Sequence, residues 1–176
     1  MSPSVLRTAR LDLIQATAEL ADAAAYHPEA FAAALAAMVP AEWPPELIEP
    51  DNLVFFANRL REEPSLGGWS AWYVVRREPE RTLIGLFGFN GPPDEAGTVT
   101  LGYALIDPAQ RHGYGTEALR ALIDWAFSHP EVSLVAADTF LHLRASVCVL
   151  EKLGFTRGGE PTEPGAVRFQ LPRSPD

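Results

Sequence analysis

The chain has 176 residues, 47% of them hydrophobic and 21% charged, which suits one globular domain with a real core. A formal net charge of −9 opposes nucleic-acid phosphate as the main partner, and a single cysteine excludes an internal disulfide. The longest apolar stretch, residues 30–39, is too short to span a bilayer, and no charged start with an apolar core marks a secretory leader. The expectation is one cytoplasmic domain over residues 1–176, with no membrane or nucleic-acid partner.

In chain order, residues 11–14 read as a first strand. The Ala-rich segment 17–38 reads as helix, interrupted at His27-Pro28, because proline lacks an N–H and disfavours the α region for the residue before it. Residues 40–45 form a Pro-rich rigid loop, and Pro50-Asp51-Asn52 opens a helix to about Arg61. Residues 69–76 and 82–89 are strands joined by a polar turn. Residues 98–106 are a third apolar strand, ended by Asp107-Pro108. The helix after it carries Ala118, Leu119, Leu122, Ile123, Ala126 and Phe127 on one stripe and stops at His129-Pro130. Residues 133–139 read as strand and 145–153 as a short helix. Residues 155–159 and 167–171 are a last strand pair, with Pro161 and Pro164 between. The order β, α, α, β, β, β, α, β, α, β, β is that of a mixed-sheet α/β (α+β) domain.

Between the third of those apolar strands and its helix stand Gln110-Arg111-His112-Gly113-Tyr114-Gly115-Thr116. Two glycines flank Tyr114, so the backbone can turn tightly and lie against a ligand. The first N–H groups of the helix have no intrahelical partner and carry the positive end of its dipole, which suits phosphate. A lone Gly-x-Gly is more often a simple turn. No Gly-Lys-Ser/Thr follows, so this is not a Walker loop, and the third glycine of a dinucleotide fingerprint would fall at Ala118. The four histidines and one cysteine show no metal-ligand spacing, so no metal is expected.

Gln110-x-x-Gly113-x-Gly115 resembles the acyl-CoA pyrophosphate loop of the GNAT N-acetyltransferase superfamily. Ala145-Ser146, followed by Val149-Leu150-Glu151-Lys152-Leu153-Gly154-Phe155, resembles a segment of its RimJ/RimL-like branch, and Leu6-Arg7-Thr8-Ala9-Arg10-Leu11-Asp12-Leu13 resembles that branch's first strand. The resemblance reaches from residue 6 to about 160. It implies a central mixed, mostly antiparallel sheet with splayed central strands, flanked by helices. It also implies acetyl-CoA as cosubstrate, acetyl transfer to a primary amine, and the homodimer common among similar proteins. Arg111, His112, Gly113, Tyr114, Gly115 and Thr116 would hold the pyrophosphate. The open strand edge at Leu105 and Ile106 would pair with the pantetheine and offer an N–H to the oxyanion.

Ser146 is the best catalytic side chain, since a hydroxyl there can also bind CoA sulfur and protonate it as the thioester breaks. A buried serine bonded back to its own helix is the structural alternative. Many relatives use a tyrosine at the place held here by Leu150; in the RimJ/RimL-like branch a serine at the place of Ser146 substitutes. Relatives also read Val-Glu-Ile/Leu-Gly-Tyr where this chain has Val99-Thr100-Leu101-Gly102-Tyr103, and often Asn at the place of Leu143. Thr100 therefore replaces a glutamate base: it can orient a water but cannot usefully accept a proton near neutral pH. Bulk water, Asp94, Glu95, Glu42 and His142 are the other base candidates.

Neutralising a lysine-like amine at pH 7 costs about 4.6 kcal/mol, against about 1.1 kcal/mol for a peptide α-amine. A peptide or protein N-terminal α-amine is thus the leading acceptor and a small-molecule amine the second. From other classes, a catalytically silent acyl-CoA-binding sensor and a nucleotide-binding protein compete. Trp43, Phe89 and Tyr103, with Trp69, Trp72 and Phe87, are candidate walls for the acceptor, although aromatics at alternating strand positions are more often core. Cys148 lies about 200° around the helix from Ser146 and does not share its cleft.

Overall fold

The apolar runs build a single eight-stranded sheet, its central strands buried on both faces, in the computed structural model, which describes residues 2–175. The strands are β1 (Val5–Arg7), β2 (Leu11–Gln15), β3 (Ala71–Arg76), β4 (Thr82–Phe89), β5 (Thr98–Leu105), β6 (Leu134–Thr139), β7 (Thr156–Arg157) and β8 (Val167–Pro172). Their spatial order is β1-β2-β3-β4-β5-β6-β8-β7, and every neighbouring pair is antiparallel except β5 with β6. The helices are α1 (Ala18–Tyr26), α2 (Pro28–Leu35), α3 (Pro50–Glu62), α4 (Tyr114–Phe127) and α5 (Arg144–Lys152). No helix among the described residues is long and apolar enough to cross a membrane.

The period-2 pattern sorts side chains onto two faces. Leu11, Leu13, Trp72, Val74, Phe87, Val99, Leu101, Val135 and Ala137 pack with α4 and α5, whose Leu119, Leu122 and Leu150 are fully buried. Ile14, Ala71, Tyr73, Val75, Leu83 and Leu86 pack with α1, α2 and α3. Thr17 caps α1 by accepting the Leu20 N–H at 3.2 Å, and Pro28, which ends α1, serves as the first residue of α2.

The β1–β2 hairpin is fastened by Asp12, 2% exposed, which ion-pairs with Arg7, Arg77 and Arg81. Burial alone would raise its carboxyl pKa, but the Arg81, Arg77 and Arg7 guanidiniums outweigh that and hold it below the usual value. Arg81 also donates to the carbonyls of Leu35 and Ala36, putting a cation at the negative end of α2.

The structure departs from the sequence reading at element ends. β1 is a separate edge strand before the expected first one. β3 starts at Ala71, because Pro64–Trp69 coils into a 3-10 turn with Gly67 kinking it. The last expected pair shrinks to two residues on one side, since Gly158, Gly159, Pro161 and Pro164 carry the chain out of the sheet.

One irregularity positions everything that follows. β5 and β6 pair only from Thr98–Leu134 to Leu101–Ala137. Beyond that, Asp138 and Thr139 pair with β8 alone, while Gly102 to Leu105 keep β4 on one side. The two central strands splay, as the resemblance implied, and leave a gap beside the second half of β5.

Candidate active site

The ladder's register decides which backbone groups face this gap. Asn90 N–H donates to the Thr100 carbonyl and Ile106 N–H to the Ile84 carbonyl, both at 2.9 Å. Bonding alternates along an antiparallel pair, so the even-numbered residues of β5 spend their backbone groups on β4. Tyr103 and Leu105 turn theirs into the gap, where Gln110 Nε2 reaches the Leu105 carbonyl at 3.3 Å. Ile106, expected to act beside Leu105, has its N–H on Ile84 and its carbonyl on the Ala109 N–H. The register offers Tyr103 in its stead.

At the end of β5 the chain turns into α4. Gly113 is the N-cap at φ 80°, no side chain caps the helix, and Arg111 also adopts a left-handed φ of 64°. For a non-glycine residue that conformation costs about 1–2 kcal/mol, so the surrounding contacts must hold it. Arg10 supplies them: it donates to the His112 carbonyl at 2.9 Å, lies 4.4 Å over the Tyr114 ring, and pairs with Glu117 at 2.7 Å. Glu117 also accepts from Thr8 Oγ1 and the Arg10 N–H. Burial would raise its pKa, but these donors prevail and hold it low, leaving its charge compensated rather than opposing the positive helix start.

A Cβ built on Gly115 would find its nearest neighbour, Leu105 Cδ1, at 3.6 Å, so the space above this residue opens toward the strand edge. Arg111 and His112 are exposed, and the His112 ring lies 5.7 Å from that of Tyr114. Beside the loop, a groove of about 580 Å³ is lined by Arg7, Arg10, Arg120 and Lys152, with Thr116, Glu117 and Asp124. Cations outnumber carboxylates there, against the chain's overall acidity.

On the α4–α5 face of the open edge, the Tyr103 and Ser146 hydroxyl oxygens are 2.5 Å apart. The sequence suggested them for different roles, one as an acceptor wall and the other as a proton donor. Packing of α5 on the sheet brings them together. Burial raises the Tyr103 phenol above its usual pKa, and the bond to Ser146 offsets this only in part, so the phenol is protonated at neutral pH. Leu150 lies fully buried under α5, and Cys148 is an exposed free thiol.

Thr100 and Gly102 project to the opposite face, so Thr100 and Ser146 are separated by the sheet. Asp94, one of the base candidates, accepts the N–H groups of Ala96 and Thr98 at 2.9 Å and is committed to its turn.

On that opposite face lies a cavity of about 130 Å³, lined by Ile48, Phe56, Ser70, Ala71, Leu86, Phe87, Gly88, Phe89, Asn90, Gly102 and Tyr103. None of these side chains is charged. Phe89 contributes to the wall, but its ring, 3% exposed, packs on Trp69 and Trp125 at 5.4 and 5.8 Å. Trp43 packs on Phe31 and Tyr73 at 6.1 and 6.2 Å and is not in the lining. Of the aromatic residues the sequence offered as acceptor walls, Phe87, Phe89 and Tyr103 border this cavity, whereas Ile48, Phe56, Ser70 and Asn90 carry no motif and were not legible; Gly88 and Gly102, inside strands, are a further sign of it. No metal-binding cluster of His, Cys, Asp or Glu occurs among the described residues.

The family model described as an acetyltransferase (GNAT) domain matches residues 10–156. The uncharacterized N-acetyltransferase YjdG of Bacillus subtilis (strain 168) is 32% identical over 152 residues, covering 86% of this chain and 89% of that protein. Among solved structures, the ribosomal-protein-S5-alanine acetyltransferase from Vibrio fischeri superposes with a TM-score of 0.67 at 18% identity, covering 96% of both chains. The microcin C7 self-immunity acetyltransferase MccE, in complex with acetyl-CoA and AMP, superposes with a TM-score of 0.64 at 15% identity, covering 94% of both. At those identities the two structures share the fold with this chain.

Proposed function

The chain belongs to the GNAT acetyltransferase family, and we propose that it moves acetyl from acetyl-CoA to the α-amine of a peptide or protein N-terminus. Acetyl-CoA supplies an activated acetyl thioester with a thiolate leaving group. The residues present fit such a cosubstrate: an uncapped helix start, open space above Gly115, a cationic groove alongside, and an unpaired strand edge. The N–H groups at the start of α4, with Gly113 and Gly115, would hold the pyrophosphate. The Tyr103 and Leu105 backbone would pair with the pantetheine amides, and an N–H of that edge would face developing negative charge on the carbonyl oxygen.

Ser146 donates its proton toward the departing sulfur. With the Tyr103 O–H donating to Ser146 Oγ, the serine hydrogen is free for that purpose and the phenol resupplies it. Tyr103 thereby supports from β5 a proton delivery that relatives make directly from the helix position filled here by Leu150.

The observation that carries the α-amine reading is the uncharged lining of the cavity at the gap. A lysine ammonium would find no carboxylate to take its proton, and Thr100 stands where relatives have glutamate. An α-amine avoids most of that cost, by about 3.5 kcal/mol at pH 7. The test is acetyl-CoA consumption with peptides whose N-terminus is free or blocked. Blocking should abolish it; equal consumption by both would refute the reading.

A further inference from the structure

We infer that Glu117 and Arg10 form a positioning pair that presets the phosphate loop, so that a carboxylate in the first turn of α4 strengthens acetyl-CoA binding although both carry negative charge. The inference rests on the proposal above that the α4 start holds the pyrophosphate.

The pair stands on a fixed turn between β1 and β2. Arg77 donates to the Thr8 and Ala9 carbonyls at 2.7 and 2.6 Å, and its N–H donates to the Arg10 carbonyl at 3.0 Å. Glu117 closes on this turn with both oxygens. Oε1 accepts the Thr8 hydroxyl at 2.6 Å and the Arg10 N–H at 2.8 Å, and Oε2 accepts Arg10 Nε–H at 2.7 Å. A carboxylate in a first helical turn ordinarily gains from the unpaired N–H groups there. This one is committed to the β1–β2 turn and leaves them to a ligand.

Arg10 carries the anchorage to the loop. Oriented by Glu117 at Nε, it donates from Nη1 to the His112 carbonyl at 2.9 Å and lies 4.4 Å over the Tyr114 ring. A Cβ built on Gly113, between those two residues, would meet Arg10 Nη2 at 3.3 Å. In a trans peptide the N–H points opposite to the C=O, so fixing the His112 carbonyl on Arg10 aims the Gly113 N–H away from the guanidinium. Arg111 and Gly113, left-handed at φ 64° and 80°, flank that fixed residue. A loop already held in this shape spares the ligand the cost of ordering it.

Charge and position predict opposite signs for Glu117→Gln. Removing a negative charge beside an anion site should tighten CoA binding. Removing the anchor should weaken it, because one amide oxygen cannot serve all the donors that Glu117 accepts, and the amide NH2 confronts Arg10 Nε–H.

The experiment measures the dissociation constant of CoA by calorimetry. Glu117→Gln should weaken binding about fivefold, the scale of one lost hydrogen bond. Arg10→Ala should weaken it about tenfold. Arg10→Lys should do nearly as much, since an ammonium keeps the charge but cannot bond Glu117 and His112 while stacking on Tyr114. Because Glu117 acts through Arg10, the double variant of Arg10→Ala with Glu117→Gln should be no weaker than Arg10→Ala. Pantetheine, which lacks the pyrophosphate, should bind every variant as it binds the native protein, followed by NMR titration. Tighter CoA binding by Glu117→Gln, native binding by Arg10→Lys, or an equal loss of pantetheine affinity overturns the pair. Gly115→Val separates the two levels. If it weakens CoA while the Arg10 and Glu117 variants do not, the pair alone fails; if all of them bind CoA like the native protein, the loop itself is not the pyrophosphate site.

Discussion

Replacing Tyr103 by Phe removes one oxygen and keeps the ring that packs 5.6 Å from Phe87. The hydrogen bond lost, 2.5 Å to Ser146 Oγ, contributes about 0.5–1.5 kcal/mol to folding, so the variant should fold. Its effect on the reaction should be separable. General acid help amounts to roughly 10²–10⁴ in rate, and on the proposed mechanism Ser146 should carry most of it: Ser146→Ala is expected to lower kcat about 100-fold. Tyr103→Phe keeps the serine proton but not its resupply, and a loss of about tenfold corresponds to about 1.4 kcal/mol of transition-state stabilisation. Because the two hydroxyls act in series, the double variant should be no worse than Ser146→Ala alone. The assay is CoA release at saturating peptide and acetyl-CoA, with the KM for acetyl-CoA expected to stay within about threefold. Burial raises the phenol above its usual value of 10.0, so no alkaline loss of rate from this group should occur below that pH. A Tyr103→Phe enzyme within twofold of native kcat, or two losses that multiply, would refute the relay.

Gly115→Val should weaken CoA binding at least tenfold, about 1.4 kcal/mol, in a folded protein, since its Cβ has room but its branches would cover the helix start; unchanged affinity by calorimetry would remove the loop from the site. Asp138 pairs with Arg168 at 2.7 Å, and although burial alone would raise its carboxyl, Arg168 and the Thr162 N–H and O–H bring it to about 2. A folded value below the unfolded one means stabilisation that is present above about pH 4 and is lost as the pH falls toward 2. After allowance for solvent screening it is worth about 1–2 kcal/mol. Urea unfolding of Asp138→Asn should show that loss at pH 7 and a flatter response between pH 4 and 2. Thr100→Glu should raise kcat/KM near neutral pH and move the pH–rate profile to lower pH; a native profile that already plateaus well below the acceptor's pKa would show that another base operates.

What the sequence reveals depends on how local the cause is. The α4 stripe and the Pro28 break follow from periodicity and from a missing N–H, and both stand where sequence placed them. The Gly113–Gly115 turn is likewise local, and its left-handed Gly113 is what the spacing asks for. Ser146 and Tyr103 were each legible, but not their contact, because it depends on how α5 lies across β5, 43 residues away. The choice of Tyr103 and Leu105 over Ile106 is set by hydrogen-bond parity with β4, which no side chain records. Trp43 and Phe89 part company: Trp43 packs on Phe31 and Tyr73 away from the cavity, whereas Phe89 borders it beside Gly88, Gly102 and Ser70 with its ring packed on Trp69 and Trp125. Small residues mark space by what they lack, and a sequence gives little reason to look there.

The most direct test of N-terminal acetylation without a strong base uses one peptide that carries both a free α-amine and a lysine, with the position of the acetyl group read by fragment mass spectrometry at pH 7. The neutral fraction of the α-amine exceeds that of the lysine by about 400-fold, and even after the greater nucleophilicity of the lysine is set against it, the α-acetyl product should dominate by at least tenfold. Acetylation at the lysine, or at both amines equally, would contradict the account.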